Sequence, residues 1–418
     1  MPGRQAHATE TPARQKVSSM RLPVVFIMIT VVLDSMGIGL ILPVMPDLIQ
    51  EVQGGTLAQA ALWGGILSTS FAVMQFLFGP MLGALSDRYG RRPVLLISLA
   101  VMALDYVIMA LAGTIWLLLA GRILGGITAA THSTASAYMA DISKPEDKAA
   151  NFGLIGAGFG IGFVLGPLIG GFLAEYGTRA PFYAAAGLAA LNLVFGYFVV
   201  KETVTGKIRR NFELRRANPF GAIRQIAHLP GLTGLLVIYL IYSIAYYVYP
   251  AIWAYFAQER FGWGPSMIGL SLGLYGVTTA IMQGALTRPI LNWLGDRKTV
   301  VWSHWFDIIT FLILGLITNG VAALILIPIA TLSAVMTPAL QGIMSRRASD
   351  DQQGELQGVL ASLHAIAMIL APLVMTAVFA AFTSESAPIY LPGAPFLVSM
   401  ALMGLSLIIF IRSRSVVA

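Results

Sequence analysis

The chain has 418 residues, of which 57% are hydrophobic and only 11% charged, and its mean hydropathy is +0.78. Soluble domains carry about 25% charged residues, so this composition excludes an ordinary soluble domain and indicates a polytopic membrane protein. The formal net charge of +7 does not point to nucleic acid, because the basic residues are spread loop by loop instead of gathering in one stripe.

Apolar runs of about 20 residues bounded by charges or Gly/Pro turns predict an all-α membrane protein of twelve transmembrane helices. They fall at 22–48, 58–85, 93–112, 115–140, 152–175, 181–200, 231–256, 266–287, 299–318, 321–344, 355–382 and 395–411. Residues 1–21 are polar and read as an N-terminal tail; the apolar run after them is too long for a signal-peptide core and lacks an A-x-A-like site, so an uncleaved first helix is expected. Twenty-three of the 26 Lys and Arg residues lie on one side of this topology, which predicts that both termini face the cytoplasm and that the number of spans is even.

The first span carries Asp34 in Val-Val-Leu-Asp-Ser-Met-Gly-Ile-Gly-Leu, and an ionisable group at such depth is a functional candidate. Burial and neighbouring charge shift the titration of a carboxyl group, so Asp34 could alternate between proton and substrate. The competing reading is a structural hydrogen bond between helices. After the second span, residues 83–93 read Gly-Ala-Leu-Ser-Asp-Arg-Tyr-Gly-Arg-Arg-Pro. Asp87, Arg88, Arg91 and Arg92 cost roughly 3 kcal/mol each in hydrocarbon, so this turn lies at a membrane surface, and Gly83 and Gly90 suit its sharp reversal. A plain basic loop is the competing reading. Arg122, on the fourth helix, is the only embedded arginine and needs an anionic partner; Asp34 and Asp105 are the candidates. The fifth helix places glycines at 156, 158, 160, 162, 166, 170 and 171, a surface for backbone-to-backbone packing that, with the bend at Gly166 and Pro167, would also serve a rocking interface.

The polar stretch 201–230 divides the helices six and six, and its basic residues read as a cytoplasmic linker, in part an amphipathic helix on anionic headgroups. Domains are expected at 1–21 (tail), 22–200 (first bundle), 201–230 (linker), 231–411 (second bundle) and 412–418 (tail). The halves echo one another at an offset of about 205 to 208 residues: Met74 and Gln75 recur as Met282 and Gln283, and the loop with Arg288, Asp296, Arg297 and Lys298 is a degraded copy of the 83–93 turn. Two six-helix bundles related by an axis along the membrane normal are the architecture of a facilitator-type transporter.

In the second half, Tyr242 and Tyr246 share a face of an unusually aromatic seventh helix and could line a cavity for a flat, amphipathic ligand. Gln75 and Gln283 are polar cavity candidates, with interhelical hydrogen bonding as the equal alternative. Asp307 is this half's deeply embedded carboxylate; His304 precedes it by three residues on the same face, which permits a relay, while a ring nitrogen spent on a backbone carbonyl is the plainer reading. His132 and His364 are further histidines within helices and candidates for a role in the pathway, and His364 and Thr279 join the candidate cavity residues. With no cysteine, thiolate metal sites and cysteine nucleophiles are excluded, and neither a phosphate-binding loop nor a metalloprotease or serine-hydrolase motif occurs, so an ATP-driven pump and an enzyme are not indicated.

The pattern G-x-x-S-D-R-x-G-R-R between second and third helices resembles the signature loop of the major facilitator superfamily. Residues 33–46 (Leu-Asp-Ser-Met-Gly-Ile-Gly-Leu-Ile-Leu-Pro-Val-Met-Pro), 104–106 (Leu-Asp-Tyr), Gly121 with Arg122, 261–263 (Phe-Gly-Trp), 338–342 (Pro-Ala-Leu-Gln-Gly) and 353–358 (Gln-Gly-Glu-Leu-Gln-Gly) extend the resemblance to the bacterial tetracycline/proton antiporters, over roughly residues 22–411. The resemblance implies that Asp34, Asp105, Arg122 and Asp307 matter for antiport, that Asp87 and Arg91 form a cytoplasmic gate with Asp141 as partner, and that Gly158, Gly162, Gly166, Pro167 and Gly170 are the fifth-helix antiporter motif. A histidine that the family carries on helix 8 is matched here by Thr279. The implied protein is an inner-membrane drug/proton antiporter, multi-pass and working by alternating access. It would use the proton gradient and no cofactor or resident metal, although the cargo could be a metal-chelated drug. Its partners would be a small amphipathic substrate, protons and the lipid bilayer, with no nucleic acid and no obligate protein partner. The alternatives are an exporter of an endogenous metabolite or lipid-like compound, and a non-transporting receptor or assembly factor on the same fold.

Overall fold

A computed structural model describes residues 22–129, 131–204, 218, 221, 229 and 231–413. The predicted N-terminal tail, the last five residues and nearly all of the basic part of the linker lie outside these. The described residues are helical throughout, with no strand: α1 (Leu22–Ile41), α2 (Met45–Gln53), α3 (Leu57–Tyr89), α4 (Arg91–Leu111), α5 (Ile115–Thr128), α6 (Thr131–Ile142), α7 (Lys148–Ala174), α8 (Ala180–Val199), α9 (Thr233–Tyr246), α10 (Val248–Phe261), α11 (Pro265–Ile281), α12 (Thr287–Leu316), α13 (Gly320–Ala330), α14 (Met336–Arg347), α15 (Gln353–Thr383) and α16 (Ala394–Arg412).

Eleven helical stretches are long and apolar enough to cross a membrane, and one of them, Pro265–Leu316, is 52 residues long. At 1.5 Å per residue that stretch is more than twice the roughly 30 Å of a bilayer core. It reverses at Gly295, whose φ of 71° and ψ of 161° are not helical, and so supplies two crossings. The protein is thus a multi-pass membrane protein of twelve spans in two six-helix halves.

Several spans are less regular than expected. The first stops at Ile41 instead of running to residue 48 and resumes as α2, because Pro43 and Pro46 remove backbone donors from any continuous helix. The seventh breaks at Tyr247, where Pro250 leaves the carbonyl of Tyr246 without its usual donor. The eighth ends in a π turn at Met282–Leu286, and the tenth tightens to a 3-10 turn at Thr331–Val335, three residues after Pro328. Broken spans are where transporters place exposed backbone beside a cavity.

The glycines of α7 divide their work between two neighbours. Cβ atoms at Gly162, Gly166 and Gly170 would lie 2.2, 2.5 and 2.2 Å from the carbonyl oxygens of Val32, Met36 and Leu40, so this stripe holds α1 and α7 backbone to backbone within the first half. On another face, Gly171 and Pro167 meet Gly269 of α11, which belongs to the second half. The halves touch at the end opposite the 83–93 turn. Thr69 donates to the carbonyl of Ile369 (2.9 Å), Gln258 to Asp47 (2.8 Å) and Ser266 to Glu175 (2.6 Å), and Gly65 abuts Thr376. The contacts between the halves thus gather at the end away from the turn.

Candidate functional site

Three groups of side chains stand out, two within the helix bundles and one at the turn. In the first half, α4 and α5 place Asp105 against Arg122, with the guanidinium NH2 donating to carboxylate Oδ2; both residues are buried. The sequence left Asp34 and Asp105 open as partners, and the structure selects Asp105. Gly121 and Gly125 make the room: Cβ atoms there would come within 2.9 and 2.7 Å of the carboxylate oxygens. The Arg122 guanidinium also lies 2.8 Å from the Met109 sulfur and 5.2 Å from the centre of the Phe71 ring. Asp105 Oδ1 and Arg122 Nε remain buried without a partner. Asp34 is half-buried on α1 and makes no hydrogen bond or ion pair among the described residues. Tyr106, next to Asp105 on α4, spans to α1, where its hydroxyl packs against Gly37, three residues from Asp34.

The second group surrounds a cavity of about 320 Å³ walled by the second half, with Leu42 and Phe163 contributed by the first. Tyr242, Tyr246 and His364 lie on its wall, as do Tyr239, Tyr247, Tyr249 and Tyr275. The Tyr242 and Tyr246 rings are stacked with centroids 5.4 Å apart, and the Tyr246 and Tyr275 hydroxyls are hydrogen-bonded at 2.6 Å. Trp253 donates its indole N–H to Ser271 (2.8 Å), which fixes the shut end of the pocket. Among the wall residues there is no Asp, Glu, Lys or Arg, and His364 is the one that can carry charge near neutral pH.

Asp307 stands behind this wall, 1% exposed, with Oδ2 unpartnered and Ser333 of the tenth-span break beside it. His304 faces elsewhere: its ring nitrogens sit 2.8 Å from the carbonyl of Val300 and 2.9 Å from the hydroxyl of Ser406 on α16, so it makes no relay contact with Asp307. Gln75 is half-buried on α3 and Gln283 is exposed in the π turn; neither borders the cavity. Thr279, one turn beyond Tyr275, is buried at its hydroxyl and lies beside that tyrosine, but it is not on the wall.

At the turn, Arg91 bridges Asp87 (2.5 Å) and Asp141 (3.2 Å) and donates to Ser86 (3.2 Å). Glu202, which the sequence places only within a polar linker, accepts from the backbone N–H groups of Arg91 (2.9 Å) and Arg92 (3.3 Å) and so caps the positive end of α4. Gly90 is required twice over. Its φ is 117°, and a Cβ would sit 2.1 Å from Glu202 Oε2. Gly90→Ala is therefore expected to destabilise by about 1–3 kcal/mol and lower the melting temperature in detergent, whereas Gly83→Ala, in open space with ordinary φ, leaves it unchanged. Arg88 lies over the Tyr89 ring, 5.2 Å from its centre.

The second half repeats this arrangement with the signs exchanged. Gly295 takes the place of Gly90, Asp296 that of Arg91 and Arg346 that of Asp141, and Asp296 and Arg346 form an ion pair. Asn292 stands where the first half has Asp87. Reversing either Arg91 or Asp141 alone is expected to lower thermal stability by an amount between the ~1 kcal/mol of exposed pairs and the ~3–5 of buried ones. The combination Arg91→Asp, Asp141→Arg and Asp87→Asn, which copies the second half's set, is expected to recover most of that loss.

Two helical halves, sealed at one end around an aromatic pocket and backed by buried carboxyl groups, define a membrane transporter of the alternating-access kind. The chain belongs to the Major Facilitator Superfamily, whose family model matches residues 27–372. It is 41% identical over 355 residues to a tetracycline resistance protein, class C, of Escherichia coli, covering 85% of this chain and 89% of that protein. It is 38% identical over 367 residues to the class G protein of Vibrio anguillarum, covering 87% and 91%. The crystal structure of the human organic anion transporter MFSD10 superposes with a TM-score of 0.65 at 25% identity, covering 93% of this chain and 99% of that one.

Proposed function

We propose that this protein exports tetracycline-like amphipathic drugs across a bacterial inner membrane in exchange for protons, with both termini in the cytoplasm. The observation that carries the reading is the cavity: about 320 Å³, at the lower end of the 300–1,000 Å³ range of drug-sized pockets, walled by stacked tyrosines, with the Asp307 carboxyl group buried in the same half and one of its oxygens unpartnered. The names of the curated relatives support the cargo class. With the basic turn placed in the cytoplasm, the contacts between the halves lie toward the outer face, which fits cargo entry from the inside.

In this cycle drug enters from the turn end while Asp34 or Asp307 is ionised. The halves then rock about the α7–α11 and α3–α15 contacts. Protonation from the outside favours release and return. Asp105 and Arg122 hold the electrostatic frame of the first half, and the Asp87, Arg91 and Asp141 cluster latches the turn end when it shuts. Each proton supplies roughly 2.3 kcal/mol per 100 mV plus about 1.4 per pH unit, sufficient for concentrative export. The test is addition of tetracycline to proteoliposomes that hold a pH gradient. Drug-dependent collapse of the gradient supports the reading; a gradient indifferent to drug would refute it.

A further inference from the structure

Cargo and proton exclude one another in an exchanger, and the cavity holds the means to enforce this at one spot. We propose that the cavity selects cargo bearing a protonated amine, held against its aromatic rings, and that His364 turns such cargo away when it takes up a proton. The inference rests on the antiport reading of this cavity and leaves Asp34 or Asp307 as the carrier of the exchanged proton.

Most polar groups of the wall are spent on one another or on backbone. Ser243 donates to the carbonyl of Tyr239 (2.7 Å), Ser271 to that of Ile268 (2.7 Å) and Thr337 to the Tyr242 hydroxyl (3.5 Å), while the Tyr246 and Tyr275 hydroxyls bond each other. His364 is different. It is an exposed residue of the wall and makes no hydrogen bond or ion pair among the described residues, which leaves both ring nitrogens for cargo. Around it the rings form a continuous aromatic surface: the centroids of Tyr246 and Tyr249 are 5.4 Å apart and those of Tyr249 and Tyr275 5.7 Å. The negative faces of such rings attract an ammonium group with no carboxylate present.

The charged side chains on the helices packed against α15 lie away from this wall. The turn end of α3 carries Asp87 and Arg88, the last turn of α10 carries Glu259 and Arg260, α16 ends in Arg412, α9 has none, and the start of α15 itself has Asp351 and Glu355. None of them lines the cavity, nor do Asp34, Asp105, Arg122 or Asp307. The other titratable wall groups are tyrosines, which stay neutral across the physiological range. The imidazole therefore sets the charge of the cavity. Neutral, it offers one nitrogen as acceptor to an ammonium N–H; protonated, it presents two donors and a positive charge, and the same cargo is repelled. The single covalent change is one proton moving from water onto that ring nitrogen. Cargo and proton thereby compete for one lone pair, and linkage makes the exclusion mutual.

The test titrates two probes onto the full chain in detergent, with a chelator present, at pH 5.5 and 7.5: tetracycline, which carries a dimethylammonium group, and its analogue lacking the dimethylamino group. We expect wild-type affinity for tetracycline to be at least about threefold weaker at pH 5.5, where imidazole gains its charge, and affinity for the analogue to change by less. His364→Gln should keep the melting temperature, since no bond is lost, and bring the tetracycline ratio down to that of the analogue. His364→Arg, cationic at either pH, should bind tetracycline weakly at both and lose less affinity for the analogue. The proposal is overturned by a ratio that survives His364→Gln, by an equal ratio for the two probes in the wild type, or by a ratio that vanishes only in Asp34→Asn or Asp307→Asn. Drug-dependent gradient collapse with no pH-dependent binding would sink this inference alone. A wild-type protein that neither binds tetracycline nor collapses the gradient would instead overturn the antiport reading itself.

Discussion

Arg122→Gln is expected to abolish export and to destabilise the protein by about 3–5 kcal/mol, because it leaves the Asp105 carboxylate buried opposite a neutral amide. Removing both partners, in Asp105→Asn with Arg122→Gln, should restore much of the thermal stability, since no uncompensated charge remains, and still give no transport. Arg122→Lys should fold but export poorly: an ammonium keeps the charge, yet it cannot present a planar face to Phe71 while bonding Asp105 and touching Met109. The measurements are melting temperature in detergent and tetracycline susceptibility of expressing cells. Resistance in the Arg122→Gln strain above a tenth of wild type would show that the pair is dispensable.

The second expected result separates function from folding. Asp34→Asn should leave the melting temperature unchanged, because Asp34 makes no hydrogen bond or ion pair among the described residues. The same substitution should reduce resistance to that of cells lacking the protein and remove drug-dependent collapse of the pH gradient, because an amide of nearly the same shape cannot take up or release a proton. A half-buried carboxylate with no partner has no structural duty for the amide to disturb. Equal resistance from wild type and Asp34→Asn would transfer the coupling role to Asp307 or Asp105.

Much of this architecture was legible in the sequence because the bilayer imposes it. Apolar length fixes the spans, and charges that cannot enter oil, such as Asp87 and Arg91, fix the turns. The glycines of α7 were legible as packing, and their spacing of four residues does meet successive α1 carbonyls. What was not legible depends on register between helices. Asp34 and Asp105 were equivalent candidates for Arg122 until α4 and α5 were docked. His304 and Asp307 share a helical face by spacing, yet the imidazole is claimed by a carbonyl one turn back and by Ser406, some hundred residues on. Glu202 reads in the sequence as part of a polar linker, and only the approach of the α8 end to the start of α4 reveals it as a cap. Tyr275 sits in a run of small and apolar residues, where nothing marks its hydroxyl as the partner of Tyr246. The π form of the turn at Met282–Leu286 was not legible either, although Pro289 withholds the N–H that would bond the Ala285 carbonyl within it.

The mirror-signed clasp on Gly295, Asp296 and Arg346 carries a lesson about how such molecules drift. What the duplicate has retained is electrical neutrality across a fixed gap, not a string of letters. Either residue can change sign provided its mate follows, so a search for the first copy's spelling will pass over the second. The reliable signature is a left-handed glycine, one charge directly after it, and the opposite charge where the next-but-one helix ends.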